Sequence, residues 1–215
     1  MSVADYMTAK VIAVSPETKV NIAINMMKDH QIHRLPVIDG DQLVGIVTEG
    51  IIRAASPSKA TSLSIYEVNY LLNKMTVADI MEKDVKTISQ DAQLEDAISM
   101  MRHHDIGVLP VVDGAQVVGI ITTNDILDGF LDITDYFVDA TVVQVMIDHD
   151  RTGVIYEIGK LMADNGFNIQ TLIVTRNLGS IMIEMHVDKT AGDGVKQVLE
   201  DAGYSVRLVV NQQVN

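Results

Sequence analysis

Cysteine and tryptophan are missing from this chain, and aromatic residues of any kind make up only 4% of it. Without a thiol there is no disulfide, no thiolate metal centre and no cysteine nucleophile. Positive charge is also scarce: 16 Lys and Arg stand against 29 Asp and Glu, a net charge of −13. A phosphate-tracking surface needs clustered Lys and Arg, so no nucleic-acid partner is expected. No apolar run approaches the roughly 18 residues of a membrane-spanning helix. After Met1, "SVADYM" has neither the basic n-region nor the apolar h-region of a secretory signal. These absences point to a cytoplasmic protein without a membrane partner. The remainder is ample for folding, since 215 residues at 47% apolar content support one large or two compact domains.

The chain repeats itself. Residues 3–53 align with 77–127 at a constant offset of 74, with roughly 23 of about 51 positions identical. Each copy opens on Asp-x-Met (Asp5-Tyr6-Met7, Asp79-Ile80-Met81) and continues into a short predicted strand, "VIAV" or "VKTI". Helix-start residues follow, "SPET" and "SQDA". Val20, Ala23, Ile24 and Met27 then recur at helical spacing, as do Leu94, Ala97, Ile98 and Met101. Two apolar runs joined at Asp-Gly predict a hairpin in each copy, because glycine tolerates positive φ. Second helices begin near Ile51 and Ile126, so each copy reads β-α-β-β-α. Residues 55–75 read as a helical connector, capped by Ser62 or Ser64 and ending near Asn73.

From about Val138 the rhythm changes. "ATVVQVMI" predicts a strand, and "DRTGVIYEIGKLMADNG" a helix with Ile155, Ile158 and Met162 inward and Gly166 at its stop. "NIQTLIVTR" and "SIMIEMHV" pair across "NLG", then a helix and a last strand, "YSVRLVV", complete a β-α-β-β-α-β order. The expected organisation is a first repeat at 1–54, the connector at 55–75, a second repeat at 76–135 and a separate domain at 138–213. The fold class is α+β.

No motif of catalysis is present: no phosphate loop ending in Lys-Ser/Thr, no Gly-x-Gly-x-x-Gly, no His-Glu-x-x-His. His103 and His104 are adjacent and diverge on a helix. Asp148-His149-Asp150 suits a polar loop better than a metal, and the methionine pairs suit core filling. Thus neither an enzyme nor a metal site is expected. "GIITTNDI" stands apart. It runs from a strand through a polar turn into a helix, where amides and the positive helix end meet an anion. A carboxylate there can accept from both ribose hydroxyls. Thr122, Asn124 and Asp125 are therefore candidates for a nucleotide, although Asn124 or Asp125 would also serve as an ordinary helix cap. The first copy keeps Thr48 but has Ile51 in place of the acid.

The "LPVV-D-x-x-x-x-V-G-I-I-T-x-x-D" frame from Leu109 to Asp125, with its imperfect twin from Leu35 to Ile51, resembles a tandem pair of CBS domains. Asp150-x-x-Gly153 and Gly166-Phe167-Asn168-Ile169 resemble an ACT domain. In that order the chain is similar to the acetoin-utilisation protein B family. The resemblance implies two clefts between paired motifs, an adenine nucleotide as ligand (AMP, ADP or ATP), no required cofactor, and a regulatory role. S-adenosylmethionine and cyclic di-AMP are alternative ligands, and an interaction module with empty pockets is an alternative role. It implies a homodimer or larger homo-oligomer and a protein target that the sequence does not name. Family positions place Thr122 and Asp125 on ribose and phosphate, and Thr87, Ile88, Val108 and Pro110 around adenine, where ordinary strand packing is their other reading. They also place a basic pair before Leu-Pro-Val, here His33 and Arg34, on the phosphate of a nucleotide whose ribose the other motif holds. Asp150, Gly153 and Asn168 would border a small amino-acid pocket, unless that domain serves only to dimerise.

The copies thus differ in a complementary way. The first keeps the base and has lost the acid; the second keeps the acid and carries Gly107 and Val108 in place of the base. One complete crossed site is expected.

Overall fold

The computed structural model describes residues 1–56, 65–149, 151–177, 180–188 and 192–213. Ser62 and Ser64, suggested above as caps, lie outside them. The chain divides into two compact units, Met1–Ile126 and Leu127–Asn215. Among the described residues no helix is long and apolar enough to cross a membrane.

The first unit contains both repeats except for the end of their last helix, which runs past Ile126. In the first copy, helix α1 (Val3–Tyr6) precedes α2 (Val20–Asp29), the hairpin β1 (Arg34–Asp39) and β2 (Gln42–Thr48), and α3 (Glu49–Ala55). Helix α4 (Ile65–Lys74) leads to a 3-10 turn at Val77–Asp79. The second copy follows with β3 (Ile88–Ser89), α5 (Leu94–His104), the hairpin β4 (Val108–Asp113) and β5 (Gln116–Thr122), and α6 (Thr123–Ile133). Both hairpins turn on two-residue loops whose first residue, Gly40 or Gly114, sits at φ near 60°. That is the left-handed region which glycine enters without a Cβ penalty.

The first strand of each copy is shorter than predicted. "VIAV" contributes a single parallel bridge, Val14 to Val37, and "VKTI" only the two-residue β3. "SPET" forms a turn, with the Ser15 amide donating to Thr18 Oγ1 at 3.1 Å, and the helix begins only at Val20. The helical faces are otherwise as expected, since Val20, Ala23, Met27, Leu94, Ala97 and Met101 are buried. Ile98 is exposed instead.

Each copy's opening segment belongs to the other copy's core. Val3 of α1 is buried among Ile88, Leu94, Leu109 and Ile121 of the second copy. Val77, which opens the second copy, is buried with Val20, Leu35 and Val47 of the first. The exchange continues along the backbone. Thr8 and Ile120 trade amide-to-carbonyl bonds of 2.9 and 3.1 Å, as Glu82 and Ile46 do at 3.0 and 2.9 Å. Methionine knobs complete it. A Cβ on Gly119 would lie 2.4 Å from Met7 Sδ, and one on Gly45 2.5 Å from Met81 Sδ. The Val-Gly-Ile of each inner strand is therefore the socket for the other copy's Asp-x-Met.

The second unit adds β6 (Ala140–Ile147), α7 (Val154–Asp164), β7 (Ile169–Asn177), β8 (Ser180–Asp188), α8 (Gly192–Asp201) and β9 (Ser205–Gln212). Its four strands form one antiparallel sheet in the order β7-β8-β6-β9. The buried residues Ile158 and Met162 of α7 and Leu199 of α8 close its core over Val143, Val145, Ile183 and Met185. Val154 takes the inward place expected of Ile155, which is 45% exposed. The Glu157 carboxylate accepts two bonds of 2.5 Å from Arg151 and one of 3.1 Å from the Tyr204 hydroxyl. The Arg151 bond, then the Tyr204 bond, hold its carboxyl down from 4.5 to about 2. A depressed carboxylate stabilises the fold fully above its unfolded value and loses that contribution as pH falls through the folded one. The melting-temperature gap between the native protein and Glu157→Gln should therefore be widest above pH 4.5 and close on acidification towards about 2. Thermal melts across that range test it; a gap independent of pH would count against the ion pair as its source.

Candidate functional site

Strand β5 ends at Thr122 and α6 starts at the next residue, so the polar turn sits at a helix N-terminus. Thr122 donates to Asp125 Oδ2 twice, from its amide at 2.6 Å and from its hydroxyl at 2.7 Å. The Asp125 amide returns a 3.4 Å contact to Thr122 Oγ1. The capping role is thus real, and it occupies one carboxylate oxygen. Oδ1 accepts no bond among the described residues, so a cap and a ligand contact are compatible in one side chain. In the first copy Thr48 Oγ1 accepts from the Ile51 amide at 3.2 Å, and no carboxylate answers.

Asp125 opens onto a cleft of about 300 Å³ within the first unit. Its walls come from both copies. Thr8, Lys10, Ile12, Ile32, His33 and Arg34 belong to the first, and Ile120, Thr122, Thr123, Asn124 and Asp125 to the second. Arg34 and Asp125 therefore share one cleft although 91 residues separate them in sequence. They also interact electrostatically. Partial burial pulls the Arg34 guanidinium below its ordinary value, and the Asp125 charge works in the opposite direction.

A second cleft of about 470 Å³ is the pseudo-symmetric counterpart, lined by Thr48 to Ile51 and by Glu82, Asp84, Lys86, Gly107 and Val108. His33 and Arg34 border this one too. His33 Nδ1 lies 3.2 Å from Glu49, and Arg34 Nη1 donates to the carbonyl of Gly107. A Cβ on Gly107 would lie 3.6 Å from Arg34 Nη1 and 3.2 Å from Thr123 Oγ1. The distance to Arg34 is an ordinary contact, so it is the Gly107 carbonyl, not its missing side chain, that meets Arg34 between the copies.

Four of the residues expected around adenine are not brought to the Asp125 cleft. Thr87 and Ile88 line a separate open groove with His103 and His104. Val108 lines the second cleft, and Pro110 is buried in β4. The physical reason is the exchange of opening segments. Bonds between Thr8 and Ile120 carry residues 8–12 of the first copy to β5, so the apolar wall is Ile12, Ile32 and Ile120. Glycine inside an apolar strand is the available sequence signal, because it marks close backbone approach. In the second unit, Gly153 joins Arg151 and Arg176 around a smaller pocket, Asn168 is not among its lining residues, and Asp150 lies outside the described residues.

A sequence signature of the CBS domain matches residues 3–58 and 77–132, more than half of the chain. Inosine-5'-monophosphate dehydrogenase of Methanocaldococcus jannaschii is 36% identical over 119 residues, 54% of this chain. The chain spans only 21% of that enzyme's length, so its activity does not travel with the match. Among solved structures, a Vibrio cholerae protein described as an acetoin utilization protein (AcuB) aligns with a TM-score of 0.54 at 27% identity, over 63% of this chain and 93% of its own. CBSX2 of Arabidopsis thaliana in complex with AMP aligns at 0.51 and 28%, over 62% and 98%. The CBS domain pair of MJ0100 in complex with 5-methylthioadenosine and S-adenosyl-L-methionine aligns at 0.50 and 29%, over 60% and 99%. With the signature matched twice and each copy's opening segment built into the other's core, the chain belongs to the CBS-domain family as a tandem CBS pair.

Proposed function

We propose that this is a cytoplasmic regulatory sensor which binds one adenine nucleotide per chain in the Asp125 cleft. The observation that carries the reading is the meeting of Arg34 from one copy with Thr122 and Asp125 from the other in a single cleft. Each group has a distinct task. The Asp125 oxygen left over from capping accepts from ribose, the Thr122 end of the strand faces phosphate or ribose, and Arg34 neutralises phosphate as a planar fork donor. Ile12, Ile32 and Ile120 supply the apolar walls for a purine, which needs no dedicated side chain. Support comes from CBSX2, a similar pair in complex with AMP. The S-adenosyl-L-methionine found with MJ0100 is a weaker fit. A sulfonium cation would meet Lys10 and Arg34, with Asp125 as the one carboxylate among the residues lining the cleft.

The second cleft has Ile51 where the ribose-accepting acid would stand, and its Lys86 is already paired with Asp84, so it does not act as an equal site. The second unit, in this reading, is an ACT-type domain that joins chains into a homodimer or larger assembly. Gly153 and the arginines beside it border its small-molecule pocket. Nucleotide occupancy would alter how the CBS pair presents itself to a protein target. Calorimetric titration with AMP should give a stoichiometry near one per chain, and mass spectrometry of freshly purified protein should detect a released adenine nucleotide. Two equal sites, or no heat with any adenosine ligand, would end the proposal.

A further inference from the structure

We infer that Lys10 tunes the Asp125 cleft to adenine nucleotides carrying more than one phosphate. This rests on the nucleotide reading above and extends it to the length of the phosphate chain. The internal repeat supplies the comparison. Thr8, Lys10 and Ile12 line the Asp125 cleft, and at offset 74 their counterparts Glu82, Asp84 and Lys86 line the second cleft. Both triplets are alternate residues of a segment tied to the other copy's inner strand, through Thr8 and Ile120 or Glu82 and Ile46. The segments bend at Lys10 and at Asp84, and each triplet still lines its own cleft, so its charges are presented there.

Those charges are opposite. In the second cleft Lys86 Nζ lies 2.9 Å from both carboxylate oxygens of Asp84, and Glu49 holds His33. Lys86 is thus neutralised there, and Arg53 is a cation of that wall without an ion pair among the described residues. In the Asp125 cleft, Lys10 stands where the second cleft has Asp84, and Ile12 stands where it has Lys86. Lys10 makes no ion pair among the described residues. Arg34, the other permanent cation of this wall, already faces Asp125 and bonds the Gly107 carbonyl. One phosphate is served by Arg34. A second phosphate finds a cation with spare donors at Lys10, whose four-carbon stem and three rotatable donors suit a chain of variable length.

The test is titration of the full chain with adenosine, AMP, ADP and ATP, free of divalent metal and at low and high salt. At low salt ADP and ATP should bind about two- to fivefold tighter than AMP, the range of an exposed ion pair. High salt should shrink that margin. Lys10→Ala should bring ADP and ATP to the level of AMP, and Lys10→Glu should make them weaker than AMP. Asp84→Lys, in the other cleft, should leave the margin intact. Equal binding of AMP, ADP and ATP by the native protein would overturn the role of Lys10 while leaving the nucleotide reading standing. So would a Lys10→Ala variant that loses AMP and ATP in equal measure. Failure of all four ligands to bind would bring down both.

Discussion

Asp125→Asn is expected to weaken AMP and adenosine alike, by about tenfold to a hundredfold, without unfolding the first unit. The magnitude follows from hydrogen bonds to a charged acceptor, roughly 1.5–3 kcal/mol. Asparagine is the informative replacement because Asp125 has two jobs. One oxygen accepts from the Thr122 amide at 2.6 Å and hydroxyl at 2.7 Å, and an amide oxygen can do the same. What asparagine lacks is the second anionic oxygen, the one assigned to ribose. Alanine would remove both and would also cost about 1 kcal/mol of capping. Arg34→Ala should behave differently, costing AMP a similar amount and adenosine little, since adenosine has no phosphate. The two losses need not add, because both groups orient one ligand and already act on each other's charge. Equal losses of AMP and adenosine in Arg34→Ala would show that Arg34 acts through its bond to Gly107, and the crossed site would fall.

The repeat and the helical faces were legible because they are local. Val20, Ala23 and Met27 follow a 3.6-residue period, and that period buries them whatever lies opposite. The Asp-Gly turns were legible for the same reason, since the backbone at Gly40 and Gly114 must enter positive φ to close a two-residue loop. Ile98 and Ile155 show the limit of that logic. Both match a helical stripe, but only three positions in each stripe reach the core, and these two lie at its margin. The meeting of Arg34 with Asp125 was legible through the differences between copies, and the apolar wall of their cleft was not. Family positions pointed to Thr87 and Ile88 around adenine, and a strand pattern states which residues are inward without stating which copy lies opposite. The exchanged opening segments bring Ile12 and Ile32 to the Asp125 cleft and leave Thr87 and Ile88 on a separate groove. Lys10 was illegible for the same reason, because its importance depends on Asp84 occupying the matching place in the other cleft.

That exchange makes its own large and testable demand. Val3→Ala is expected to destabilise the second copy, although Val3 lies at the start of the first. Val3 is fully buried among Ile88, Leu94, Leu109 and Ile121, and its amide donates to the Ala92 carbonyl at 2.8 Å. Removing two methyl groups from such a site costs about 1.5–3 kcal/mol, from lost burial together with the cavity left behind. A denaturant midpoint should fall with little change in slope, because the surface exposed on unfolding is nearly the same. Location is the sharper readout. Hydrogen exchange should accelerate first at amides of β4, β5 and α5, more than at β1, β2 and α2. Val77→Ala should give the mirror result, because Val77 opens the second copy but is buried with Val20, Leu35 and Val47 of the first. If both variants instead loosened the copy to which they belong in sequence, the opening segments would pack within their own repeats. The route that brings residues 8–12 to the Asp125 cleft would then be lost with them.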